Sequence, residues 1–247
     1  MDKIRLFCFP YAGGSSNIYM KWKKYLANSI ELCPIELAGR GKRYSEPLND
    51  SIEEIVDDIY EKIKFDVDQS PYMLYGHSMG SLIAFELSHK LQSNNHISPL
   101  NIFLSGRKAP QFNINKKSYQ LSNDEFKELI YQIGGTPKEI LNDPNFSDLF
   151  FPILRSDFKA VETYVYKEKF EKLNSDLSLM IGKEDEIDIN EIIPWRELTR
   201  RGSTVYRFNG GHFFIHENTV EITNIINKTA NDFIKASGSE DCFLPTM

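Results

Sequence analysis

Apolar residues follow two rhythms along this chain. Short continuous runs bounded by glycine, proline or polar loops read as buried strands: Ile4 to Phe9, Ile30 to Leu37, Tyr72 to Tyr75, Asn101 to Ser105, Leu177 to Ile181 and Thr204 to Phe208. Between them the spacing is helical. Tyr19, Trp22, Tyr25 and Leu26 form one such set, and Ile52, Ile55, Val56, Ile59 and Ile63 form a second behind a Ser51/Glu54 capping pattern. Leu82, Ile83, Phe85, Leu87 and Leu91 form a third. Val220, Ile225, Ile226, Phe233 and Ile234 close the fold behind Asn218 and Glu221. Strands alternating with helices predict an α/β fold with a mostly parallel, doubly wound sheet.

The alternation stops between about residues 111 and 174, where helical patterns succeed one another without a strand. Ser122 and Glu125 cap a helix carrying Phe126, Leu129, Ile130 and Ile133, which Gly134-Gly135 should end. A second stretch carries Phe146, Leu149, Phe150, Ile153 and Leu154, with Pro152 expected to kink or interrupt it; Phe158, Val161, Tyr164 and Val165 continue the spacing. This segment reads as a helical lid inserted into one domain spanning 1–236, and 237–247 reads as a disordered tail. Its aromatics either pack the lid on the body or line an acyl pocket.

Composition narrows the possible partners. A formal charge of -6 argues against nucleic acid, because phosphate binding needs a basic surface. Three widely spaced cysteines, Cys8, Cys33 and Cys242, point to neither a disulfide framework nor a metal knuckle, so a reducing cytoplasm is expected. No apolar run approaches membrane-spanning length and the N-terminal stretch lacks the features of a signal peptide. No metal, cofactor or membrane is called for, and a monomer is expected.

Gly76-His77-Ser78-Met79-Gly80 lies between the third strand and its helix. A serine on such a turn has strained backbone angles, and flanking glycines remove Cβ atoms that would clash, so Ser78 should stand above the sheet as a nucleophile. Working residues in open parallel sheets sit on loops at the carboxyl ends of strands, which puts Asp185 and His212 on the same edge. The order Ser, Asp, His is that of α/β-hydrolases. His212, after Gly210-Gly211, is the expected base, with His216 its rival; Asp185, among Glu184, Glu186 and Asp188, should orient it. His77 reads as structural, and His89 and His96 as solvated. The oxyanion donors should be the backbone N–H groups of Met79 and of Ala12, with Tyr11 as the alternative to Ala12.

Several blocks in order resemble the type II, or external, thioesterases of nonribosomal peptide and polyketide assembly lines. They are Phe9-Pro10-Tyr11-Ala12-Gly13-Gly14, Gly39-Arg40-Gly41 with Glu46-Pro47, Gly76 to Gly80, Ser105-Gly106-Arg107 with Ala109-Pro110, Arg155-Ser156-Asp157-Phe158 and Gly210 to Ile215. The resemblance implies an α/β-hydrolase fold with a helical lid that removes aberrant or stalled acyl groups from phosphopantetheine thioesters on acyl or peptidyl carrier proteins. Tyr11 stands where the family often has histidine, and Ala38 where it often has proline. Arg40, Lys42, Arg43, Arg107 and Lys108 all follow predicted strands, so they either dock the carrier and its phosphopantetheine arm or are ordinary solvated charge. A medium-chain fatty acyl thioesterase, a small-ester hydrolase and a non-catalytic docking module are the alternatives.

Overall fold

The computed structural model describes residues 3–112, 114, 116–134 and 143–240. Six strands, β1 (Ile4–Phe9), β2 (Ile30–Pro34), β3 (Tyr72–His77), β4 (Asn101–Ser105), β5 (Asp176–Gly182) and β6 (Ser203–Phe208), form one parallel sheet in the order β2-β1-β3-β4-β5-β6. The expected second strand is shortened. Past Pro34, Ile35 N–H still donates to the Cys8 carbonyl (2.9 Å) before the chain leaves the sheet.

The strands are apolar on both faces because both faces are covered. Phe7 and Phe9 of β1, Leu74 of β3, Ile102 and Leu104 of β4 and Leu179 of β5 pack with α1 (Ile52–Ile63) and α2 (Met79–Ser93). Their neighbours Leu6, Cys8, Met73, Tyr75, Phe103 and Met180 point the other way. There they meet Tyr19 and Trp22 of a 3-10 helix (Ser16–Lys24) and a long C-terminal helix. Strand order reverses between β1 and β3, and the crevice above such a reversal is where doubly wound folds bind ligands. The first glycine-rich loop and Ser78 leave the sheet at those two strand ends.

The segment after β4 carries α3 (Asn123–Ile133) and α4 (Pro144–Glu162). Ser122 and Glu125 form a complete capping box, and Gly134, with φ of 86°, follows α3; Gly135 lies outside the described residues. Phe126, Ile130, Phe151 and Leu154 form a small core of their own between these helices. Leu149, expected on the apolar face, is instead exposed, and Phe151 takes the inside position. Helix α4 runs through Pro152 without interruption. That proline lies on the exposed side of the helix.

Two further short helices, α5 (Ile189–Ile192) and α6 (Phe214–Glu217), precede the C-terminal helix α7 (Thr219–Glu240). Helix α7 therefore occupies residues 237–240, expected in a tail; 241–247 lie outside the described residues. Among the described residues no helix is long and apolar enough to cross a membrane.

His89 and His96 are engaged rather than solvated. His96 Nδ1 lies 2.6 Å from Asp68 Oδ2 and its Nε2 lies 3.1 Å from the Tyr60 hydroxyl. His89 packs edge-on against Phe85 at 4.7 Å, and burial, with Lys169 adding to it, pushes its pKa down to about 4. The unfolded chain then binds a proton that the folded one refuses, so this contribution to stability is whole above about pH 6.5 and is lost as the pH falls toward 4. Unfolding free energy should drop by roughly 2 kcal/mol between pH 7 and 4.5 through this group. Denaturant titrations of His89→Phe should show a correspondingly shallower acid limb.

Candidate active site

Strand β3 ends at His77 and α2 starts at Met79, leaving Ser78 as the whole turn. Its backbone sits at φ 54° and ψ -111°, a conformation that costs an L-residue on the order of 1–3 kcal/mol. The surroundings hold it there. A Cβ on Gly76 would lie 1.9 Å from the Gly80 carbonyl oxygen, and one on Gly80 would lie 2.2 Å from that of Phe9. Ser78 N–H donates to the Ser105 carbonyl (2.7 Å). The Ser81 hydroxyl sits 2.9 Å from the Gly76 and Ser105 carbonyl oxygens and accepts from Ser105 N–H (3.0 Å).

Met79 opens α2, so its N–H has no partner within the helix and lies at the positive end of the helix dipole. Across the crevice, Gly14 N–H donates to the Tyr11 carbonyl (2.8 Å), closing a turn in which Gly13 has φ of 76°. Ala12 occupies the second position of that turn. Among the described residues neither the Met79 nor the Ala12 N–H donates to a protein acceptor.

Asp185 and His212 are brought together as expected, from the loops after β5 and β6. His212 Nδ1 lies 2.9 Å from Asp185 Oδ2, with the carboxylate buried and the ring partly exposed. A carboxylate only accepts, so the shared proton belongs on Nδ1 and Nε2 keeps its lone pair. The two loops interlock: Glu184 N–H donates to Gly210 O (3.1 Å), and a Cβ on Gly182 would stand 2.5 Å from the carbonyl oxygens of both Gly210 and Gly211. The Asn218 amide tethers the second loop by donating to Asn209 O and Phe214 O (2.9 Å each). Asp188, by contrast, caps α5. Among the described residues no hydrogen bond joins the Ser78 hydroxyl to His212, a contact that in hydrolases is often long until substrate binds.

The remaining histidines of the site have other partners. His77 is fully buried, its Nδ1 2.8 Å from the Ser105 hydroxyl, its ring 5.3 Å from that of His212. Burial, helped by the neighbouring His212, holds its pKa well below the ordinary imidazole value, so it stays neutral. His216 meets the Tyr11 hydroxyl through Nε2 at 3.0 Å, and burial followed by Lys21 lowers its pKa. Tyr11 also packs edge-on against Phe213 and His77.

The basic residues expected at a docking face separate into two groups. Arg40 is buried against Asp157, and Arg43 is engaged by Glu46 and Asp58. Arg107 is also buried, its pKa pushed down to about 10 by desolvation. A guanidinium inside the protein or held between carboxylates is less available to a partner's phosphate than an exposed lysine. Lys42 is exposed, and Lys108 is partly exposed, 3.4 Å from Glu191. Asp157 had appeared in the sequence only as part of a motif; its partner lies 117 positions away, beyond any local pattern.

Comparison with known proteins accords with this arrangement. The thioesterase domain model matches residues 4–230. The gramicidin S biosynthesis protein GrsT of Aneurinibacillus migulanus is 35% identical over 92% of this chain and 88% of its own. Thioesterase PikA5 of Streptomyces venezuelae is 31% identical over 91% of this chain and 80% of its own. Among solved structures, ClbQ from the colibactin NRPS/PKS pathway superposes with a TM-score of 0.90 at 30% identity, covering 95% of this chain and 100% of that one. The matched span takes in the first glycine-rich loop, Ser78, the helical segment after β4, Asp185 and His212, and the chain belongs to the thioesterase domain family, on an α/β-hydrolase fold.

Proposed function

We propose that this protein is an editing thioesterase that hydrolyses stalled or aberrant acyl groups from the phosphopantetheine arm of carrier proteins in a nonribosomal peptide or polyketide assembly line. The observation that carries the reading is the Asp185–His212 pair at the strand ends on the same sheet edge as a strained Ser78, together with the Met79 and Ala12 N–H groups, which have no protein acceptor among the described residues. Ser78 Oγ attacks the thioester carbonyl while its proton passes to His212 Nε2, and the resulting oxyanion is held by the two amides. The C–S bond breaks, the arm leaves as a thiol with the proton from His212, and acyl-Ser78 remains. Water then loses a proton to His212 and attacks the ester, and Ser78 recovers its proton as the acid departs. Asp185 keeps the imidazole oriented and stabilises its cation.

Assembly-line context is supported by the names of GrsT and ClbQ. Carrier recognition is assigned to Lys42, which is exposed, and to Lys108, which is partly exposed and would exchange its 3.4 Å pairing with Glu191 for an acidic partner. Hydrolysis should be compared on an acyl carrier protein loaded with short acyl chains, on the matching acyl-CoA and on p-nitrophenyl esters. The carrier-bound substrate should show a kcat/KM at least about 10-fold above the others, a difference of about 1.4 kcal/mol in transition-state binding. Preference for long-chain acyl-CoA or for simple esters would move the assignment to a fatty acyl thioesterase or an esterase. Lys42→Glu with Lys108→Glu should lower the rate on the carrier substrate several-fold and leave the ester rate unchanged; equal losses on both would remove the docking assignment.

A further inference from the structure

The carboxylate of Asp157, on α4, is fully buried and serves two masters. Arg40 grips it with two nitrogens, Nη1 to Oδ2 at 2.6 Å and Nη2 to Oδ1 at 2.7 Å. Gly13 N–H donates to the same Oδ2 at 2.7 Å. The Arg40 guanidinium also reaches the Gly14 carbonyl at 3.2 Å. One ion pair thus holds the amide of Gly13 and the carbonyl of Gly14, on the C-terminal side of Ala12, while the Gly14-to-Tyr11 hydrogen bond closes the turn around it. The side chain of Leu154, one turn before Asp157, lies against Gly13: a Cβ there would be 2.5 Å from Leu154 Cδ2.

Charge adds a second constraint. A buried carboxylate one residue from an oxyanion donor would oppose the negative charge that develops on the thioester oxygen, in surroundings where little water screens it. A bidentate guanidinium cancels that charge while leaving the second lone-pair direction of Oδ2 to Gly13. We infer that Arg40 and Asp157 are positioning residues of the oxyanion site: through Gly13 and Gly14 the pair fixes the direction of the Ala12 N–H, and Arg40 keeps the carboxylate that does so from repelling the transition state. Asp157 belongs to α4 and Arg40 to the loop after β2, so the pair ties the helical insertion to the body at this donor. The inference rests on the acyl-serine reading above.

The test uses a trifluoromethyl ketone analogue, which adds Ser78 and becomes an oxyanion, beside a thioether analogue, which binds without reacting. Arg40→Gln should lower kcat about 10- to 100-fold with KM within about twofold, and should weaken the ketone in parallel while leaving the thioether unchanged. Asp157→Asn removes the charge with the anchor and should lose less, and the double variant should recover part of the Arg40→Gln loss. Arg40→Lys, which keeps the charge without the fork, should fall between. Both ligands titrate folded protein only, so a merely structural role lowers the melting temperature and leaves the ratio of the two affinities as it was. An unchanged ratio in Arg40→Gln, or in Asp157→Asn and Arg40→Lys should that variant not fold, would overturn the inference. Ser78→Ala separates the two readings. If it still binds the ketone as tightly as the parent, the acyl-serine reading itself fails; if it does not, an unchanged ratio in the ion-pair variants condemns the ion-pair role alone.

Discussion

Ser78→Ala is expected to lower thioester hydrolysis by about 10⁴-fold or more while leaving the fold intact, the larger of the two strongest effects that follow from the site. In the proposed mechanism no neighbour can replace Ser78, since His212 is aimed by Asp185 and the Ser81 hydroxyl is committed to Gly76 and Ser105. Stability should move by no more than about 0.5 kcal/mol, because alanine inherits the same positive φ. Ser78→Gly should behave differently. It is equally inactive, yet relief of the backbone strain should raise stability by about 1 kcal/mol. Intact-mass measurement after brief exposure to substrate should show an acyl adduct on the parent and none on either variant. Hydrolysis by the Ser78→Ala protein at the parental rate would sink the mechanism.

Gly76→Ala carries the second large effect, this time on the fold of the elbow. The new Cβ would stand 1.9 Å from the Gly80 carbonyl oxygen and 2.1 Å from its carbon. Both atoms belong to the backbone of the first turn of α2, so no side-chain rotation relieves the clash. Separating β3 from α2 disturbs the core cluster that joins Leu74 to Met79, Leu82 and Ile83. The expected cost is about 3 kcal/mol or more, a fall of about 6–12 °C in melting temperature for a domain of this size. Ser78 should also lose its reactivity toward a phosphonate probe. Gly211→Ala is the matched control, since its Cβ would meet only Glu184 O at 3.8 Å, an ordinary contact. A parental melting temperature for Gly76→Ala would show that the elbow yields more easily than its geometry implies.

Most of the architecture was legible because two periods differ. Both faces of the sheet are buried, so strands such as Tyr72–His77 read as unbroken apolar runs, while α1 shows apolar residues on one side only. The buried face of a helix is less legible than its existence, because it depends on a partner far away in the chain. Leu149 and Phe151 are two apart on α4, and only the packing of α3 decides which is inside. Pro152 was expected to disturb a helix that in fact tolerates it on its exposed side.

The amino-acid sequence by itself determined the parallel α/β framework, the elbow at Ser78 and the placing of Asp185 and His212 at strand ends, because these depend on local periodicity and on the rule that parallel strands end on one edge. Tertiary structure alone decided which charges are available. Arg40, Arg43 and Arg107 looked like Lys42 and Lys108 in the chain, yet the first is sealed against Asp157, the second is held by Glu46 and Asp58 and the third is buried. It also decided that His216 meets Tyr11 and that His212 meets a carboxylate. Whether a charge faces water or a partner is set by contacts between residues far apart in the chain, and no local pattern carries that information.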